Sequence, residues 1–188
     1  MVIGINEILR RVKKEKLIEN LGSRELKNPE GVGVDLRLGE VHKIISGGAF
    51  IEADGKAGLG KRKGVKTKIV AAFRPRAKKQ KEVVIKSGEY YLVSTVEKIN
   101  TPLDLLPLIE SRTSLFRAGL LLICTKVQPG YKGTLTMGLK NLFDFEVKLQ
   151  MGARICNIAF FKIEGNSVSY RGQHQGGRIS PHEEEQQV

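Results

Sequence analysis

Apolar and polar residues alternate along residues 133–141, with Leu135, Met137 and Leu139 set against Thr134, Thr136, Gly138 and Lys140. A period of two sorts side chains onto the two faces of a strand, whereas a helix needs a period of 3.6. The pattern is repeated in short pieces nearby. Residues 120–126 form an apolar run, and 146–150 and 154–163 read as two more strands, with Gly, Pro, Asn and Asp between them. No helical segment intervenes, so a parallel α/β sheet is disfavoured. An antiparallel barrel or sandwich is expected, in a mainly β chain.

The N-terminal half adds fewer elements. Ile5, Ile8, Leu9 and Val12 fall on one helical face, which predicts a helix over 6–20 with Asn6 as its cap and an end near Gly22. Residues 34–38 alternate as a strand does, and 41–45 continue it. Residues 89–99 are rich in Tyr, Val and Thr and predict another strand. Thr101, Pro102 and Pro107 bracket an expected loop.

Charge is distributed unevenly. The net formal charge is +12. Residues 56–86 hold twelve bases against one acid, Glu82, a net +11 that leaves +1 for everything else. The stretch is dotted with glycine and reads as a long loop or extended hairpin outside the core. Clustered lysines gain affinity for polyanions by releasing counterions from phosphates, so nucleic-acid contact through 56–86 is one expectation. A solvated insertion is the other. Only Phe73 is aromatic there, which disfavours base stacking.

Several classes drop out. No apolar run approaches the roughly 20 residues that span a bilayer, so no membrane role is expected. The first residues carry scattered charges and no apolar signal core. Cys124 and Cys156 are too few for a disulfide framework or a four-cysteine zinc site. The H-x-E with P-C-x-x-C pattern of zinc deaminases is absent. A cytoplasmic chain of one domain is the expectation, with a basic insertion at about 47–86 and a mobile tail at 180–188.

Four segments could carry chemistry. Residues 111–120 read Ser-Arg-Thr-Ser-Leu-Phe-Arg-Ala-Gly-Leu, with hydroxyls between Arg112 and Arg117. Thr113 or Ser114 is expected to cap a short helical turn, and the guanidiniums suit bidentate bonds to phosphate. Residues 127–133 place Gln128 and Tyr131 around a Pro-Gly turn. Residues 152–157 include Asn157, and 170–178 form a glycine-rich, arginine-bearing stretch that can close over a ligand.

In order and spacing these segments, with Val34-Asp35-Leu36-Arg37-Leu38-Gly39 before them, resemble the dUTPase and dCTP deaminase superfamily. The Tyr-Arg-Gly tail is most similar to archaeal dUTPase-like chains. The resemblance runs to about Arg178, the basic insertion excepted. It implies a distorted jelly-roll β-barrel of the dUTPase type with a short N-terminal helix, assembled as a homotrimer with sites between subunits. It implies a deoxypyrimidine nucleoside triphosphate as substrate, with Mg2+ riding on the phosphates and no protein metal site. Arg112, Thr113, Ser114, Arg117 and Asn157 would meet phosphates. Tyr131 would meet the deoxyribose, and Thr136, Met137 and Gly138 would lie along the base. Tyr170, Arg171 and Gln175 would close over the nucleotide, and Asp35 and Gly133 would be structural.

Two positions depart from the pattern. The resemblance implies a glutamate general base in deaminases where this chain has Gly138, and an aspartate in dUTPases where it has Gln128. Glycine accepts no proton, which favours dUTP hydrolysis to dUMP and pyrophosphate over dCTP deamination. An amide at 128 can hydrogen-bond but cannot take a proton, leaving Gln128 as a weakened catalytic candidate. A dUTP diphosphatase is thus the leading expectation. A dCTP deaminase-type enzyme and a catalytically impaired nucleotide-binding homologue are the alternatives.

Overall fold

The computed structural model describes residues 1–55 and 58–180, and the backbone of 185–186. The fold is mainly β. An eight-stranded antiparallel sheet curls into a nearly closed barrel, and the jelly-roll class expected from the resemblance is found. Its main path runs β8 (Leu105–Ser111), β12 (Arg154–Lys162), β2 (Gly33–Ser46), β7 (Tyr90–Asn100), β10 (Lys132–Asn141) and β9 (Leu120–Ile123). Short β1 (Ile18–Glu19) adds to β7, and β5 (Lys66–Ala72) adds to β2. A two-stranded sheet pairs β6 (Glu82–Ile85) with β11 (Val147–Gln150).

The alternation in β10 does what period two requires. Leu135, Met137 and Leu139 are buried, facing a core that includes Leu36, Leu38, Val93, Ile158 and Phe160. Asn141 ends the strand from a fully buried position. Its amide donates to Ile85 O at 3.0 Å and Phe145 O at 2.9 Å, and its Oδ1 accepts from Phe143 N–H at 2.9 Å. A buried amide needs such partners, and these tie the β10 end to the smaller sheet.

Several expectations are corrected. The first helix, α1, is Ile5–Glu15, ending well before Asn20. Lys16 takes a left-handed conformation (φ 53°), which turns the chain so that Ile18 can pair with Ile99. Gly4, not Asn6, is the N-cap, without a side-chain bond. A five-residue helix, α2 (Ser23–Lys27), follows, for which the sequence reading had no element. The loop expected over 101–107 is partly strand, because β8 lies at a sheet edge, where proline is tolerated.

The basic stretch is also not all periphery. Ala71, Val83 and Ile85 are buried, since β5 and β6 each pair with a barrel-side strand. Its first part, β3 (Phe50–Ile51) and β4 (Lys61–Lys63), forms a small outer sheet with residues 185–186. Lys56, and tail residues 181–184 and 187–188, lie outside the described residues. No helix among the described residues is long and apolar enough to cross a membrane.

Candidate functional site

A cavity of about 460 Å3 lies where the start of β10 meets the chain after β12. Gln128, Tyr131, Thr136 and Tyr170 line it together, joined by Leu92, Ile109, Lys126, His174, Arg178 and Ile179. Pro129 and Gly130 make the turn that sets Tyr131, and Gly130 N–H donates to Thr101 O at 2.9 Å. The Tyr131 and Tyr170 rings meet edge to face, centroids 5.6 Å apart. The Tyr131 hydroxyl donates to Thr134 O, and burial pushes its pKa up to about 12. It is therefore a fixed neutral wall, not a proton acceptor near neutrality.

Thr136 Oγ1 is buried and, among the described residues, without a hydrogen-bond partner. It stands at the cavity wall, where a bound polar group could satisfy it. Met137, next along the strand, points into the core instead, and Cys124 Sγ lies 3.7 Å from its sulfur. Burial raises the Cys124 thiol to about 11, so it is no thiolate nucleophile.

The tail is seated on this cavity by backbone and amide bonds. Gln175 accepts from Lys132 N–H at 2.8 Å and donates to Gly130 O at 3.1 Å. Gly176 N–H donates to Lys132 O at 2.8 Å. The close approach requires Gly133, since a Cβ there would come 2.5 Å from the Gly176 carbonyl carbon. Arg62 Nε from the basic insertion donates to Gln173 at 2.9 Å, and Thr67 and Ser180 hydroxyls meet at 2.5 Å. Arg171 is exposed.

Gly138 has a distinct neighbour. An ideal Cβ at 138 would lie 2.2 Å from the Tyr90 hydroxyl. The Tyr90 phenol therefore fills the space a side chain at 138 would need, and burial raises its pKa. No carboxylate lines the cavity among the described residues.

The remaining predicted residues gather elsewhere. Asp35, 8% exposed, accepts from Arg154 at 3.0 Å and Asn157 at 3.0 Å and pairs with Arg112 at 3.2 Å. Thr113, Ser114 and Arg117 are exposed on α3 (Thr113–Arg117), whose N-cap, Arg112, makes no side-chain cap bond. Neither Thr113 nor Ser114 is the cap, and none of the α3 residues lines the cavity. The sequence reading missed Leu92, Ile109, Lys126 and Ile179. Leu92 and Ile109 are brought in by strand pairing alone, which no local pattern announces.

An antiparallel jelly-roll barrel carrying these segments defines a member of the dUTPase and dCTP deaminase superfamily. The family model described as dCTP deaminase-like matches residues 2–163, and the chain belongs to that family. A protein named dCTP deaminase from Pyrococcus furiosus is 33% identical over 167 residues, covering 88% of each chain. A "dCTP deaminase, dUMP-forming" from Dictyoglomus turgidum is 29% identical over 169 residues, covering 87% of this chain and 81% of that one. The crystal structure of a 2′-deoxycytidine 5′-triphosphate deaminase from Agrobacterium tumefaciens matches with TM-score 0.61 and 16% identity. It covers 87% of this chain, which spans about half (48%) of that longer one.

These relatives overturn the leading expectation. They carry deaminase names over most of the chain, so dUTP hydrolysis, argued from the order of motifs and from glycine at 138, does not stand. Gln128 remains in the cavity wall.

Proposed function

We propose that the cavity beside Tyr131 and Tyr170 takes a deoxycytidine nucleoside triphosphate, and that the chain is a dCTP deaminase-type protein. The observation that carries this reading is the buried, unpartnered Thr136 hydroxyl beside the Tyr131 and Tyr170 rings, in a wall that also presents Lys126, Gln128, His174 and Arg178. Such a group is poised to accept or donate one hydrogen bond to a ring edge, and its burial without a partner costs about 1–3 kcal/mol until something binds. The names of the relatives support the cytosine base. In the reaction, water adds at C4 of the base, the C4–N4 bond breaks, and ammonia leaves dUTP behind.

Phosphate contacts are assigned to Arg112, Ser114 and Arg117 of a neighbouring copy in a homotrimer, since these groups stand outside the cavity wall of their own chain. Magnesium enters only as a counter-ion of the phosphates. No three His, Cys, Asp or Glu side chains gather to hold a metal among the described residues.

A second reading is binding without turnover. Tyr90 against Gly138 favours it, because a neutral phenol occupies the place of a proton-accepting side chain. One pair of measurements separates the readings: ammonia release from dCTP, and calorimetric titration with dCTP. Ammonia supports deamination. Heat of binding with no ammonia supports the second reading. Neither signal overturns both.

A further inference from the structure

A second cavity, of about 500 Å3, lies between β5 and the turn that leads into β6. Its wall combines Ile69 to Ala72 of β5 with Arg74, Lys79 and Lys81, and no carboxylate lines it. The turn is fixed from within. The Gln80 amide donates to Arg74 O at 2.7 Å and accepts from Arg74 N–H at 3.1 Å. Lys81 Nζ donates to Val70 O at 3.1 Å, holding the turn against the strand. The cations are thus preset on a cradle, which lowers the ordering cost of binding.

Arg76 and Lys78 are exposed beside it, continuing the positive surface. Among the described residues Arg74, Arg76, Lys78 and Lys79 make no ion pair. Like charges held together without acids repel one another, and a polyanion relieves that repulsion.

We propose that this cradle and its rim bind the phosphate backbone of nucleic acid without regard to sequence. A concave cationic wall matches a convex backbone, whereas a bilayer is flat and needs apolar anchors. The 74–81 segment offers only Pro75 and Ala77, and of the apolar β5 residues in the wall Ile69 alone is exposed, a single anchor where a bilayer needs several. No aromatic side chain lines the cavity, so bases have no stacking platform. The nearest ring, Phe73, is engaged by the Arg37 guanidinium 5.4 Å from its centroid. Affinity then comes from counterion release and falls steeply with salt.

Anisotropy of a short labelled DNA duplex, titrated with the full chain over a salt series, tests this. Wild type is expected to bind at low salt. The combined R76S, K78S and K79S variant should weaken binding, and the slope of log K against log salt should shrink by about 2.7, roughly 0.9 per lost phosphate contact. A variant losing equal charge elsewhere, K13S with K14S and K27S, should keep the slope. Q80A retains every charge but loosens the cradle, and it should also weaken binding. The proposal is overturned by no duplex binding at low salt, by equal losses in both triple variants, or by an unaltered Q80A. Binding to phosphatidylserine vesicles without duplex binding overturns it too. Binding of dCTP, measured in parallel, should be the same in all variants, so this test stands apart from the nucleotide reading.

Discussion

At position 35 one carboxylate gathers three donors from two other strand ends, Arg112, Arg154 and Asn157. Two of its partners are arginines that reach partly into solvent, which screens the pairs. Replacing Asp35 by Ala strands three donors at a buried junction. We expect a loss of about 2 kcal/mol, or roughly 4–8 °C in Tm for a chain of this size, read by thermal melting. Gly138 makes a sharper case. Glutamate placed there collides with the Tyr90 hydroxyl, so G138E alone should cost about 1–3 kcal/mol through overpacking. G138E combined with Y90A removes the collision and supplies a base. It should raise ammonia release from dCTP by on the order of 10²-fold, the lower range for general-base help. An unaltered rate would mean that the missing carboxylate is not what limits turnover.

Elements docked by charge respond to acid. Helix α1 packs Ile8, with Ile5, Leu9 and Val12, on the core and is tied further to the barrel by Arg11, which pairs with Asp104 at 2.6 Å and, within the helix, with Glu7 at 2.9 Å. The guanidiniums of Arg10 and Arg11 hold Glu7 down to about 2, and Arg11 holds Asp104 below its usual range. A carboxylate whose folded pKa is depressed stabilises fully above its unfolded value. The ion-pair share of the docking should therefore be intact above about pH 4.5 and be lost as pH falls toward 2, leaving the apolar face to hold the helix alone. Limited proteolysis in the α1 segment across that window should show the release, and D104N should move it to higher pH. The tail is docked by uncharged hydrogen bonds and close backbone contact instead. G133A intrudes on the Gly176–Gly177 backbone and should loosen dCTP binding by about tenfold or more with little change in Tm, as calorimetry and melting would show.

The same two kinds of element explain what could be read beforehand. β2, β7, β10 and β12 were legible because one face of each packs on the core, and period two survives in the sequence. β8 was not, because Pro107 argues for a loop unless the strand is known to be an edge. α2 is too short for periodicity to register. Tyr131, Thr136 and Tyr170 were found through the order of motifs. Leu92 reaches the same cavity through its pairing with Gly138, which no local pattern announces, and Ile179 reaches it one residue past the tail segment.

Over the whole molecule, the cavity and the α3 arginines occupy different places on one chain. A homotrimer that joins them should sediment at three times 20.8 kDa. Mixing R112A with Y131A subunits should then restore some dCTP binding that neither has alone, whereas sites complete within one chain would show no rescue. The net charge also changes character at this scale. It is concentrated on the insertion, whose β4 also holds the tail through Arg62 and Gln173.

The two ends of the main sheet are unlike. At β8, Pro107 has no N–H to offer, and its carbonyl already accepts from Val127 N–H at 3.0 Å. At β9, Leu121 and Ile123 are exposed and, among the described residues, no strand pairs on the outer side. Fibre growth by strand addition needs a donor edge and an acceptor edge on every unit. The Val127–Pro107 bond joins the chain just after β9 to the β8 edge, so the nearly closed barrel leaves little free edge at which strand addition could start.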